Sequence, residues 1–174
     1  METRRQPKVI SQPDPDTLRD ALRFWTTGVT VVAVRHAGLA HGMTVNSFTS
    51  LSLDPPLVSI SLEKITRTHQ LVKDARSFSV TVLSLEQKEI SDRFAGRETD
   101  QSDRFAGVEI FDLETGNPIL TKGLAFFDCK VTASHDAGTH TLFIGQVLAC
   151  GQFSGNGDSP LVYFNRAYRK IIPG

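Results

Sequence analysis

The feature that most constrains this chain is a succession of short β-branched runs, most of them with a period of two. Val29–Val34 is β-branched and apolar but for Thr30, Leu57–Leu62 alternates apolar residues with serine, and Phe78–Leu83 alternates apolar residues with Ser79 and Thr81. Leu124–Ser134 and Thr141–Cys150 are longer and are joined by a tight turn. Alternation bounded by turn residues marks a half-buried strand, and a run that is apolar nearly throughout reads as a buried one. Further strands are expected at Ala40–Val45, after a turn at His36–Gly38, and at Pro160–Phe164. Asn46–Leu53 reads as polar and irregular, ended by Asp54-Pro55-Pro56. Residues 97–117 are polar and poorly patterned, and Gly151–Ser159 is a Gly/Ser loop.

Helices are few. Asp14 can cap, and Pro15 can start, a helix whose Leu18, Ala21, Leu22 and Trp25 make one apolar stripe, with Gly28 as its stop. Thr68 is expected to cap a short helix over His69–Ala75. Ser84 and Gln87 form a capping box ahead of a helix that carries Ile90 and Phe94 and stops at Gly96. Few strands are joined by a helix, which argues against a doubly wound parallel sheet. The expectation is a mainly β chain: a closed antiparallel barrel with a few peripheral helices, one domain over 14–174 behind a flexible tail at 1–13.

Charge and hydropathy narrow the partners. Lys+Arg and Asp+Glu both number 19, so no basic face points to nucleic acid. No apolar run approaches the ~20 residues of a membrane helix. The polar N-terminus lacks the apolar middle of a secretion signal, and a cytoplasmic protein without a membrane partner is expected. If the hairpin is centred near Asp136–Thr139, Cys129 and Cys150 lie about four residues out of register, on the order of 13 Å, too far for a disulfide. Two reduced thiols are expected.

The chain has no G-x-S-x-G, Walker loop, H-E-x-x-H, C-x-x-C or G-x-G-x-x-G. A nucleotide site here would have to be other than a Rossmann one. The most informative stretch is Gly42–Leu57, dense in Asn, Ser and Thr between two strong strands. Such a segment offers N–H groups and hydroxyls to a polar ring system. It can equally be a loop whose hydroxyls satisfy their own backbone. His135 could face His140 across the turn, but two imidazoles with Asp136 fall short of a closed zinc site, so no metal is expected.

Read in order, Thr27–Val32, Gly42–Leu57, Lys64–Thr68, Asp92–Gly96, Gly138–Gly145 and Pro160–Phe164 with Tyr168 closely resemble the short-chain flavin reductases. These are the reductase components of two-component flavin monooxygenases. The resemblance implies an antiparallel split β-barrel of the Greek-key, FMN-binding kind, and a homodimer. It implies hydride transfer from NADH or NADPH to FMN or FAD, with reduced flavin passed to a separate oxygenase. Thr44, Val45, Asn46, Ser47 and Ser50 would line the flavin ring. Lys64, Thr66, Arg67 and Thr68 would hold its phosphate, and Phe94, Ala95 and Gly96 would close over it. His140, with Asn165, Arg166 and Tyr168, would border the nicotinamide. No side chain need act as acid, base or nucleophile, because the flavin carries the chemistry. Gly138-Thr139-His140 departs from the family's Gly-Asp-His, so the imidazole lacks its acidic neighbour. The alternative is an electron-transfer flavoprotein with tightly bound FMN and no nicotinamide site.

Overall fold

The computed structural model describes residues 8–96, 103–154 and 159–171. In chain order the strands are β1 (Thr27–Gly28), β2 (Thr30–His36), β3 (Leu39–Val45), β4 (Thr49–Leu53), β5 (Pro56–Glu63), β6 (Ser77–Val82), β7 (Ile110–Phe111), β8 (Ile119–Leu120), β9 (Ala125–Ala137), β10 (His140–Gln152), β11 (Val162–Phe164) and β12 (Ala167–Arg169). The helices are α1 (Pro15–Leu22), α2 (Arg67–Ala75) and α3 (Lys88–Phe94). Seven strands form one antiparallel sheet in the order β3-β2-β6-β9-β10-β5-β4, beside a β1-β11-β12 sheet and a β7-β8 ribbon.

The run at β2 explains the layering. Val31, Val32, Ala33 and Val34 are all 1% exposed or less, so both faces of the strand are covered. Val32 and Val34 enter a core with Val45, Ile60, Leu62, Phe78, Val131 and Phe143, closed by Leu71 and Val72 of α2. Six strands thus turn their side chains onto one centre, as the wall of a barrel does. Val31 faces the other way, into a second core with Leu83, Phe94, Leu120 and Leu161. The expected closed barrel is corrected to a split one: β3 and β4 are the two edges of the sheet and do not pair.

Several local expectations also change. Thr49–Leu53 is a strand, paired with β5 through Thr49–Ser59 and Ser50–Val58, and broken by a bulge between Ser50 and Ser52. Its mostly exposed edge position leaves no alternation to read. Helix α1 is capped by Asp14, which accepts from the Thr17 N–H at 2.7 Å. It ends at Leu22 and not at Gly28, because Thr27 and Gly28 pair with β11. Its apolar stripe is not buried: Leu18, Leu22 and Trp25 are 49%, 57% and 73% exposed. Residues 8–13 form neither helix nor strand, and 1–7 lie outside the described residues.

The β9–β10 hairpin turns on Gly138-Thr139, with His140 opposite Ala137 and His135 opposite Leu142, so the two imidazoles do not face each other. Two register shifts place Cys129 opposite Val147 and Cys150 opposite Phe127, a smaller offset than a regular ladder gives. Both thiols are free, and burial pushes the Cys129 thiol up to about 12. Among the described residues no helix is long and apolar enough to cross a membrane.

Gly145 lies against this core on β10. A Cβ there would stand 2.7 Å from Cζ of the fully buried Phe78 and 3.1 Å from Cys129 Cβ. Gly145→Ala is expected to destabilise the fold by about 1–3 kcal/mol, read as a lower urea midpoint with an unchanged slope.

Candidate active site

The passage from β3 to β4 is only Asn46–Phe48, and its geometry is set by one hydroxyl. Ser47 Oγ donates to the Ser61 carbonyl at 2.9 Å and accepts from the Ser61 N–H at 3.1 Å. It thereby satisfies the stretch of β5 that β4 does not reach. Thr44 is also committed, donating to the Ser91 carbonyl of α3 at 2.7 Å. Asn46 is exposed, and its amide makes no hydrogen bond among the described residues. Three hollows meet at it. One of about 280 Å³ is lined by Thr44–Ser47, Ser61, Glu63, Thr66 and His140. One of about 180 Å³ is lined by Thr44–Asn46, Ala95, Tyr163 and Tyr168. The largest, about 510 Å³, lies between Asn46, Tyr163, Arg166 and the α1 region.

The expected phosphate segment divides. The N-cap of α2 is Thr66, not Thr68: its hydroxyl accepts from the His69 N–H at 3.3 Å and donates to the Glu63 carbonyl at 2.7 Å. The first turn therefore starts two residues earlier than expected, with Thr66 facing the hollow that holds His140. Thr68 is fully buried, its Oγ1 2.9 Å from His41 Nδ1, which takes it out of an exposed anion site. Arg67 is exposed. Lys64 sits 3.3 Å from Asp136, and its N–H donates to the Thr139 carbonyl at 3.0 Å. The segment is thus fastened to the tip of the β9–β10 hairpin. At that tip Thr139 Oγ1 lies 2.9 Å from His140 Nδ1, where the expected acidic neighbour is missing.

Other expected residues fall apart from these. Ser50 pairs on β4 and does not line the three hollows. Phe94 is a core residue, fully buried with its ring 5.0 Å from Phe105 and held under Gly42, so only Ala95 of the expected lid reaches a hollow. Gly96 follows with φ +72°, packed against Arg104. Asn165 and Arg166 form the two-residue turn of the β11–β12 hairpin, both with positive φ, as a type I′ connection requires. Asn165 Oδ1 accepts from Arg23 Nε at 2.6 Å, and Arg166 pairs with Asp20 at 2.8 Å. Tyr168 lines the smallest hollow while its hydroxyl meets Ser91 at 2.8 Å and donates to Asp92 at 3.0 Å. His140 is therefore not grouped with Arg166 and Tyr168; each occupies a different hollow around Asn46. Arg19, Arg23, Trp25 and Thr27 also border a hollow at Asn46, a placement that sequence reading did not expect, because the α1 stripe reads as core.

Residues 22–171 match the family described as the flavin reductase like domain. The chain belongs to the flavin reductase family. It is 39% identical to the NADH-dependent flavin reductase StyB of Pseudomonas fluorescens, covering 92% of each chain. It is 36% identical to the reductase subunit HsaB of a flavin-dependent monooxygenase of Mycobacterium tuberculosis, over 94% of this chain and 86% of the relative. The solved NADH:FAD oxidoreductase SgcE6 of Streptomyces globisporus C-1027 superposes with a TM-score of 0.87 at 30% identity, covering 97% of this chain and 99% of that one.

The residues of this flavin reductase family member fit a flavin at Asn46. The site offers an open amide, flanking main chain of an edge strand, and a capped helix start with Lys64 beside it. Next to this, His41 is held neutral. Burial is the main cause, with Arg104 and Arg67 adding repulsion, and together they bring its pKa down to about 4. Burial likewise lowers the pKa of His69, helped by Lys73 and Lys64.

For His41 the unfolded chain takes up a proton that the folded chain refuses. Its contribution to stability is complete above the ordinary imidazole pKa near 6.5 and is lost as pH falls from there toward 4. Urea midpoints measured across this range are expected to fall with acid more steeply in the native protein than in His41→Gln, which removes the titration.

Proposed function

We propose that this chain oxidises NADH with FMN or FAD as hydride acceptor and supplies the reduced flavin to a separate oxygenase component. The observation that carries this reading is the convergence on Asn46 of three hollows, one of which joins the flavin-side residues Thr44–Ser47 to Thr66 and His140. Relatives named as an NADH-dependent flavin reductase, an NADH-linked FMN reductase and a monooxygenase reductase subunit support it.

When bound, flavin supplies the redox chemistry by accepting hydride. The work left to the protein is binding and orientation. The Asn46 amide and the adjoining main chain bond the polar edge of the ring. Lys64 and Thr66 hold the phosphate, with Arg67 as a further exposed cation at the start of α2. His140, steadied by Thr139, positions a ring from the side of the β9–β10 hairpin. Ala95, Tyr163 and Tyr168 give the apolar wall that keeps water from the reacting faces. No group in this set has to exchange a proton, and neutral His41 fits that economy.

The same reading has this chain as a homodimer working in the cytoplasm. Exposed Leu51 and Leu53 on the edge strand β4 and Leu148 on β10 support a self-association face. Nothing in the site favours the electron-transfer alternative.

Purified protein is expected to consume NADH only when flavin is added, with initial rates compared for FMN, FAD and riboflavin and for NADPH as donor. Oxidation without flavin, or none with any flavin, overturns the proposal. Lys64→Ala is expected to weaken FMN binding by about 1.5–3 kcal/mol, the worth of a charge-assisted hydrogen bond, and to leave riboflavin binding unchanged. Equal losses for the two flavins would remove Lys64 from the phosphate site.

A further inference from the structure

The cation assigned above to the flavin phosphate already has an anionic partner. Lys64 Nζ lies 3.3 Å from Oδ1 of Asp136, near the tip of the β9–β10 hairpin. The lysine side chain is 38% exposed and the aspartate 83%, so the pair contributes little to stability and both members can meet a ligand. Asp136 is nevertheless held in place by contacts that use neither charge. The Lys64 N–H donates to the Thr139 carbonyl at 3.0 Å, which joins the segment to the hairpin tip. Thr141, the ladder partner of Asp136, has its Oγ1 2.9 Å from Nε2 of His69 in the first turn of α2. The electrostatics of His69 agree: after burial and Lys73, Lys64 lowers its pKa and Asp136 raises it, so both charges act on that turn. A second carboxylate, Glu63, lines the hollow with Thr66 and His140. Anion sites gather positive charge, and this one carries acid beside its lysine.

We propose that Asp136 competes with the flavin phosphate for Lys64 and so sets how loosely the chain holds its flavin. The inference rests on the phosphate reading of Lys64 and Thr66 above and adds to it a residue that weakens the grip. A Lys64 ammonium already neutralised by a carboxylate gains less from a phosphate than a bare one. The Thr139 and Thr141 contacts keep that carboxylate close when the phosphate arrives. The effect falls on the phosphate and leaves the ring contacts at Asn46 alone. Affinity differences of this kind are expressed mostly in the dissociation rate, so the flavin stays for a shorter time. A chain that hands reduced flavin to a separate component gains from that. The opposite role, in which Asp136 orients Lys64 toward the phosphate, predicts an effect of opposite sign.

Binding can be read without turnover, by titrating oxidised FMN or riboflavin with the full-length protein and following flavin fluorescence. Asp136→Asn keeps the size of the side chain and removes its charge. It is expected to lower the FMN Kd about threefold to fivefold, the scale of an exposed ion pair, and to leave the riboflavin Kd unchanged. FMN dissociation measured by stopped flow should slow by a similar factor. Asp136→Glu keeps the charge and should keep the native affinity. In the Lys64→Ala background the gain from Asp136→Asn should shrink to less than about twofold, because the cation competed for is gone.

Unchanged FMN affinity in Asp136→Asn overturns the inference. Weakened affinity in a variant that melts with the native protein overturns it in favour of Asp136 orienting Lys64. A gain shared by riboflavin overturns it in favour of a rearranged hairpin tip. An equal gain in the Lys64→Ala background overturns it in favour of a general field at the site. If Lys64→Ala weakens FMN selectively while Asp136→Asn changes nothing, the phosphate site stands and this inference alone falls. Equal losses of FMN and riboflavin in Lys64→Ala remove the phosphate site and the inference with it.

Discussion

The arrangement of the site depends on Ser47 doing main-chain work with a side chain. A seven-stranded sheet that curls until its edges approach must either pair them or satisfy them some other way, since unpaired edge groups bury at a cost or recruit another chain. Here β4 takes its ladder from β5, stops short of Ser61, and leaves the remaining N–H and C=O to the Ser47 hydroxyl. That pair of bonds fixes the chain as it crosses from one edge to the other. Asn46, one residue before, is consequently held with its amide outward at the seam. The seam leaves a strand edge open that a closed barrel would have used up.

Where burial dictated residue type, the fold could be read from the chain. The β2 run, the alternations of β5 and β6 and the long β9–β10 hairpin follow from the demand that both sides or one side of a strand be covered. So does the reach of Gln87 back to the Ser84 N–H, at 3.1 Å. Reading failed where burial was decided by partners far away in sequence. Strand β4 is nearly all exposed, so Thr49–Leu53 carries no pattern. The α1 stripe has helical spacing, but spacing cannot say whether a face meets a core or a ligand. Phe94 ends its helix beside Gly42, whose missing side chain makes room for the ring, and that complementarity spans two distant segments. The cap of α2 was misplaced by two residues because Thr66 and Thr68 are chemically equivalent. Only the tertiary contact of Thr68 with His41 separates them. Composition alone left the Asn46 loop open between holding a ligand and satisfying its own backbone, and only the ordered motifs favoured the former; the hollow under α1 was not legible, since it is made by a helix and a hairpin far apart in sequence.

Charge is distributed around this seam with some economy. The two histidines packed at the start of α2, His41 and His69, are kept neutral by burial and by neighbouring cations. Their rings serve as hydrogen-bond and packing groups: His69 meets the Thr141 hydroxyl at 2.9 Å and lies 5.3 Å from the Phe143 ring. Positive charge is left to Lys64, Arg67 and the arginines under α1, at the periphery. A hydride-transfer site of the kind proposed would gain from this division, because neutral, fixed dipoles near the rings need no reorganisation while anionic tails would be held further out.

The clasp between Arg23 and Asn165 spans 142 residues of sequence. A contact of that separation closes nearly the whole chain into a loop, and the entropy of closure is recovered only once most intervening contacts exist. Its remaining supports are the Arg23 carbonyl accepting from the Asn165 N–H at 2.8 Å, the Arg166–Asp20 pair and an edge-on contact of Phe24 with Phe164. None of these buries a side chain of α1. The corner where α1 meets the β11–β12 hairpin therefore holds little buried surface on the α1 side, the condition under which a segment opens locally at low cost. A ligand seated there would add one more strap between α1 and the β11–β12 hairpin and would stabilise that corner out of proportion to its effect on the barrel.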